Sequence, residues 1–200
     1  MAFRPAWTPA GPRVGPRAHR FSRDVIVFRR ASAPLPFLWE TAEQPPGRWH
    51  GEGEGPAHYL ADTPDGAWAE FLRHENITDP EDLDGIRETI WAIELPDDLN
   101  LFAPELPPKA LLGGSESYAA CQAEGRRLRA AGAAGLMAIS AALVPTQARG
   151  WRVQGGLHAG PPRDGRVVVL YGPRPELVGW RAGAQARPDA ELLSKIRYLP

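Results

Sequence analysis

Residues 57–72 carry a strand pattern that runs directly into a helix start, and this junction constrains the fold more than any other segment. The run from Ala57 to Ala61 is short and apolar, which is typical of a buried strand. Thr63 is a good N-cap, and Pro64 suits the first helical position. The apolar residues that follow recur at spacings of three and four and predict one buried helical face: Ala67, Trp68, Phe71 and Leu72.

The rest of the chain alternates between strand and helix patterns. Further strands are predicted at residues 25–28, 89–95, 136–140, 151–153 and 166–171. Helical patterns occur at residues 188–196 and at residues 115–134, where Ser115 is a candidate N-cap, and residues 79–82 start a short helix or a turn. Stretches rich in Pro and Gly predict loops at residues 31–56, 96–114 and 145–165. The mixture favours one compact α+β domain with a mixed sheet.

Composition excludes several classes of protein. A net charge of −1 provides no global attraction to nucleic acid or to a membrane surface. No run approaches the roughly 20 apolar residues that a transmembrane helix needs. Cys121 is the only cysteine, so an internal disulfide and a cysteine-based zinc cluster are excluded. A single cysteine suits the reducing cytoplasm, where we expect the protein to act.

The first 23 residues differ from the remainder of the chain. They contain five Arg, four Pro and no acidic residue, and they lack the apolar core of a secretory signal. We therefore expect residues 1–23 to form a basic, Pro-rich arm and residues 24–200 to form the folded domain. Such an arm is either disordered or draped on the surface, or it contacts a partner.

The chemistry of the chain concentrates in residues 47–70. Arg48, Tyr59 and Glu70 follow one another at steps of eleven residues, across a predicted loop, strand and helix. Arg binds phosphate through two parallel hydrogen bonds, and Tyr offers a flat face with a polar tip. Glu can hold a hydroxyl group or stabilise a developing cation. The set suits an anionic ligand that carries an aromatic ring.

Common site motifs are missing from the sequence. No glycine-rich dinucleotide fingerprint follows a strand, and no phosphate-binding P-loop is present. The segment from Gly51 to Gly55 is glycine-rich but acidic, so it would repel phosphate. The five His residues are scattered without metal-ligand spacing, so we expect no metal site. A nucleic-acid module would carry more positive charge, so direct binding of nucleic acid is not expected.

Several short segments occur in an order that is similar to one known family. They are Phe28-Arg29, Gly47-Arg48-Trp49, His58-Tyr59-Leu60-Ala61, Ala69-Glu70, residues 121–125 and residues 135–141. Together they span roughly residues 25–171 and resemble the RES-domain family, which is named for an Arg, a Glu and a Ser. These bacterial proteins are commonly the toxins of toxin–antitoxin pairs. The resemblance implies an NAD cleft in a mixed α/β core like that of ADP-ribosyltransferases.

By this resemblance, specific residues take specific roles toward NAD as the substrate. Arg29 would hold the NAD phosphates, and Tyr59 would line the pocket against the nicotinamide or its ribose. Glu70 would be the catalytic carboxylate, and Arg48 would brace the cleft or add phosphate contacts. Ser140 stands where many members carry a serine at a strand end. Members either break NAD, by hydrolysis or phosphorolysis, or transfer ADP-ribose to a protein.

Three positions depart from the family pattern. Arg30 follows Arg29 where some NAD-degrading members carry Tyr, and a basic group there could bind an incoming phosphate. His50 stands where Asn is usual, and Ala119 stands where one branch carries a functional serine. Ser117 is the nearest serine, so the functional serine is either Ser140 or Ser117. An inactive NAD-binding module is therefore a further alternative, and a helix-turn-helix antitoxin is the implied partner.

Overall fold

The apolar segments of the chain pair into one mixed sheet, described by a computed structural model over residues 18–19 and 25–198. Its eight strands lie in the order β1-β5-β6-β9-β3-β2-β4-β10, and only β5 and β6 are parallel. These strands are β1 Ala18–His19, β2 Val25–Ser32, β3 Ala57–Ala61, β4 Glu88–Leu95, β5 Leu101–Phe102, β6 Gly135–Ile139, β9 Arg166–Tyr171 and β10 Val178–Ala186. A separate antiparallel hairpin pairs β7 Trp151–Val153 with β8 Leu157–Ala159.

In the described part of the chain, three α-helices and three short 3-10 segments connect the strands. The helices are α1 Pro64–His74, α2 Pro108–Leu112 and α3 Tyr118–Ala130. The 3-10 segments are Pro80–Gly85, Ser115–Ser117 and Ala190–Lys195. The predicted start of α1 is confirmed, because the Thr63 hydroxyl accepts a hydrogen bond of 2.9 Å from the Gly66 N–H. The cap satisfies one of the free N–H groups at the helix start.

Helices α1 and α3 cover the same face of the sheet. Trp68 and Leu72 of α1 share one buried cluster with Ile90 of β4, and the α3 residues Cys121 and Leu128 belong to a second buried cluster. The opposite face has its own core, which connecting segments cover through Phe37, Leu38, Leu99 and Leu177. Alternate residues of the central strands β3, β6 and β9 therefore belong to different cores, as expected for a sheet that is buried on both faces.

The structure corrects several element boundaries. Strand β2 runs to Ser32, four residues beyond the predicted end, because it pairs with β4 along its whole length. The predicted loop at residues 96–114 contains β5 and α2. The predicted helix at 115–134 begins as a 3-10 turn and becomes α-helical only at Tyr118, so Ser115 is not its N-cap. Strands β8 and β10 were not predicted.

The predicted fold class is confirmed, since the described residues form a mixed α+β domain built on one large sheet. The predicted basic arm, residues 1–23, lies outside the described residues except for β1, which pairs with β5. No helix within the described part of the chain is long and apolar enough to span a lipid bilayer.

Candidate active site

Strands β2 and β3 separate after a single pair of residues. They are hydrogen-bonded in register only at Phe28 and Ala61, although β2 continues to Ser32 alongside β4. Residues 29–32 and 57–60 therefore face each other without a ladder, and we call this gap the β2–β3 split. Side chains alternate along a strand, so Arg30 and Tyr59 point to the α1 face of the split.

Glu70 and Ser140 meet on this face, although 70 residues separate them. The Ser140 hydroxyl donates a hydrogen bond of 2.8 Å to Glu70 Oε1 and accepts from the N–H groups of Ala142 and Leu143 at 3.2 and 3.1 Å. Ser140 is 2% exposed, and Glu70 is half-buried. Because two backbone donors fix the hydroxyl, the serine orients the carboxylate. Glu70 Oε2 has no hydrogen-bond partner among the described residues.

Arg73 lies next to this pair and was missed by the sequence analysis. It is buried, and its guanidinium donates to the carbonyls of Ala141 and, at 3.0 Å, Gly113. Burial lowers the pKa of Arg73, whereas the nearby Glu70 carboxylate raises it. Arg73 follows Glu70 by three residues on a helix, and this spacing puts both on one face. This spacing is the feature of the sequence from which Arg73 could have been identified.

Arg48 and Ser117 form a second group that braces the segment between α2 and α3. The Arg48 guanidinium donates to the carbonyls of Ala110 and Gly113, at 3.2 and 2.6 Å, and to Ser117 Oγ at 3.0 Å. Ser117 in turn donates to the Gly114 carbonyl. Ser117 therefore lies with Arg48 and makes no hydrogen bond to Glu70. The Gly113 carbonyl, shared with Arg73, links the two groups.

Tyr59 is fixed by the turn that carries Arg48. The Trp49 N–H donates to the Tyr59 hydroxyl at 2.9 Å, and that hydroxyl lies 2.9 Å from His50 Nδ1. His50 Nε2 lies 3.0 Å from the Pro45 carbonyl, so its proton is on Nε2 and Nδ1 accepts from Tyr59. Burial raises the pKa of Tyr59 and lowers the pKa of His50. Gly47 permits this contact, because a Cβ there would lie 2.7 Å from the tyrosine hydroxyl.

The neutral state of His50 predicts a pH-dependent stability. Its pKa is lowered in the folded protein, so protons bind the unfolded chain more readily below the ordinary value of 6.5. Above this pH, His50 is neutral in both states and should not reduce the free energy of unfolding. Below this pH, His50 should contribute a fall of up to about 1.4 kcal/mol per pH unit, and His58, whose pKa is also lowered, contributes its own fall. His50→Asn should flatten this slope in urea unfolding curves, and the exposed control His74→Asn should keep it. Identical slopes for His50→Asn and the wild type would contradict the prediction.

The two neighbouring arginines of β2 point to opposite faces of the sheet. Arg29 is buried against Glu40 on the face away from α1 and does not contact Glu70. The Arg30 guanidinium lies 4.2 Å from the centroid of the Phe71 ring, beside Glu70, and 3.5 Å from Glu88. Arg30 thus shares a face with Tyr59 and Glu70, and Arg29 reaches the split from the other side.

Cys121 packs in the core and is not exposed as a reactive thiol. Cys121 is fully buried in the α3 cluster, and burial raises the pKa of its thiol. No group of three or more His, Cys, Asp or Glu residues in the described part of the chain is arranged to hold a metal ion.

Comparisons with known proteins identify the fold and the family of the chain. The fold is similar to a chain in the crystal structure of the M. tuberculosis MbcT–MbcA toxin–antitoxin complex, with a TM-score of 0.55 and 19% sequence identity. The match covers 88% of this chain and 90% of that chain. A search of curated proteins finds no match. The RES domain family profile matches residues 11–154, more than two thirds of the sequence. The chain therefore belongs to the RES domain family.

Proposed function

We propose that this protein is an NAD-consuming toxin that cleaves the bond between nicotinamide and ribose. The observation that carries the proposal is the Glu70 carboxylate, held by Ser140 on the face of the β2–β3 split that Arg30 and Tyr59 also share. Membership in the RES family supports the same substrate. An NAD molecule would lie along the split, with its nicotinamide ribose at Glu70.

The reaction needs little from the protein beyond position and negative charge. When the glycosidic bond breaks, its electron pair moves to the ring nitrogen, and the cationic pyridinium leaves as neutral nicotinamide. Positive charge then develops on the ribose. The free Glu70 Oε2 would stabilise this charge or accept a hydrogen bond from a ribose hydroxyl. If water is the acceptor, its oxygen bonds to C1′ and its proton passes to the solvent. If phosphate is the acceptor, an anionic oxygen bonds to C1′ without losing a proton. Fixing the ribose beside the carboxylate supplies much of the rate.

The arginines of β2 would grip the diphosphate from both faces of the split. Arg29 has a buried Nη1 without a hydrogen-bond partner among the described residues, and such a donor is costly unless a ligand satisfies it. Arg30 is half-buried and lies on the side of Glu70. Arg48 is engaged by carbonyls, so its role in the proposal is to brace the cleft.

The products of NAD turnover test this proposal. Wild-type protein should release nicotinamide from NAD, with ADP-ribose as co-product if water is the acceptor and its 1-phosphorylated form if phosphate is the acceptor. Parallel incubations with and without phosphate, separated by chromatography, distinguish the two. Release of no nicotinamide would contradict the proposal. Label transferred from NAD to protein, in place of free ADP-ribose, would show the transferase alternative.

We also propose that the toxin acts in the cytoplasm and is inhibited by a cognate antitoxin. The structural neighbour was solved as a toxin–antitoxin complex, and this supports a protein partner of the same kind. A helix-turn-helix antitoxin would bind nucleic acid in place of the toxin. The net charge of −1 gives this chain no general attraction to nucleic acid, which agrees with DNA binding by the antitoxin.

A further inference from the structure

A single carboxylate joins the two walls of the split at the point where the ladder stops. Glu40, in the segment between β2 and β3, forms an ion pair with Arg29 of β2 through Oε1. Its other oxygen, Oε2, lies 2.9 Å from Nδ1 of His58 in β3. On the face away from α1, Glu40 therefore bridges residues whose backbones do not pair.

Arg29, Glu40 and His58 form a bridge across the split, and their side chains are almost completely buried. The side chains of Arg29, Glu40 and His58 are 8%, 6% and 3% exposed. Breaking a buried ion pair leaves an uncompensated charge, so the fold holds these groups in one arrangement. A guanidinium that is held in one arrangement is preorganised to bind a ligand.

His58 anchors the bridge to the next strand of the sheet. Its Nε2 lies 3.2 Å from the carbonyl of Gly172, directly after β9. Two influences oppose each other at this imidazole. Burial, Arg29 and Arg174 lower the pKa of His58, whereas the hydrogen bond with the Gly172 carbonyl raises it. The Glu40 carboxylate lies 2.9 Å from Nδ1, and a negative charge at that distance favours the protonated ring. The protonation of His58 should therefore respond to the charge at position 40.

The bridge leaves one side of the Arg29 guanidinium free. Nη2 is bound to Glu40, and Nη1 is buried without a partner in the described part of the chain. A carboxylate that fixes one edge of a guanidinium orients the other edge for a second acceptor. The arrangement parallels metal sites, where outer groups orient the inner ligands.

We propose that Glu40 is a positioning residue, which together with His58 fixes Arg29 so that its Nη1 can bind a phosphate oxygen of the dinucleotide. This inference rests on the proposed function, because it assigns Arg29 to the NAD diphosphate. Glu40 itself does not touch the substrate. Its loss should weaken NAD binding and leave the chemistry at Glu70 nearly unchanged.

Substitution of Glu40 by Gln tests the inference, because it keeps the size of the side chain and removes its charge. We expect Glu40→Gln to raise the KM for NAD by about 10- to 100-fold, with kcat changed by less than about threefold. Glu40→Asp keeps the charge and should recover part of the loss. Glu43→Gln, on an exposed residue of the same segment, is the matched control and should match the wild type. An unchanged KM in Glu40→Gln would overturn the inference.

Two further measurements keep the test independent of turnover and of folding. Calorimetric binding of ADP-ribose should weaken in Glu40→Gln, and the ¹⁵N shifts of His58 should move. If the wild type turns over no NAD but ADP-ribose binds more weakly to Glu40→Gln, the positioning role is supported and the proposed reaction is contradicted. If ADP-ribose binds both proteins equally, the positioning role falls. Should Glu40→Gln not fold, Arg29→Lys must raise the KM similarly, and an unchanged KM there would overturn the inference.

Discussion

Replacing Glu70 by Gln is expected to lower kcat for nicotinamide release by about 100- to 1000-fold, with little change in KM. This is the effect of removing one preorganised electrostatic contact to a charge that develops in the transition state. Gln keeps the shape of the side chain and its hydrogen bond with Ser140, but it cannot balance a positive ribose. Steady-state assays at saturating NAD measure the change.

Glu75→Gln is the matched control for this variant. Glu75 caps the end of the same helix and is exposed, so its charge lies outside the site. Its kcat should equal that of the wild type. Full turnover by Glu70→Gln would remove the carboxylate from the mechanism, and an equal loss in Glu75→Gln would point to a general effect of charge.

Replacing Gly125 by Ala is expected to destabilise the protein by about 1–3 kcal/mol, which is typical of overpacking. Ala is the better helix former by about 1 kcal/mol, so propensity alone predicts the opposite sign. The added Cβ would overlap the backbone carbonyl oxygen of Trp49 and lie 3.1 Å from the Tyr171 hydroxyl. A backbone oxygen cannot rotate away. The turn that holds Tyr59 must therefore shift, so NAD turnover should also fall.

Gly150→Ala provides the control for this second prediction. A Cβ at Gly150 meets no atom within 4 Å, and its backbone is compatible with alanine. Urea unfolding should show a loss only for Gly125→Ala. Higher stability of Gly125→Ala than of the wild type would contradict the close packing between α3 and the turn at Trp49.

Local signals explain which elements could be predicted from the sequence. Helix α1 was predictable because its cap and apolar stripe lie within ten residues. Strand β9 was predictable because five consecutive residues are apolar, and all five are buried in the structure. Strand β10 lies at the edge of the sheet and has no buried residue, so it shows no periodic pattern. The two residues of β5 are too few to show any period.

The residue types of the candidate site could be proposed from the sequence, but their arrangement could not. The contact between Ser140 and Glu70 depends on how β6 is placed beside α1, which no local pattern records. Glu40 is one of several acidic residues in a predicted loop, and only the fold separates it from the exposed Glu43. Ending the first strand at residue 28 hid the alternation that sends Arg29 and Arg30 to opposite faces.

A crystal structure of Glu70→Gln with bound NAD tests the central claim most directly. It should show the nicotinamide ribose against residue 70 and a diphosphate oxygen within hydrogen-bond distance of Arg29 Nη1. The dinucleotide should cross the β2–β3 split with Tyr59 beside it. NAD bound elsewhere, or with its diphosphate remote from both Arg29 and Arg30, would contradict the claim.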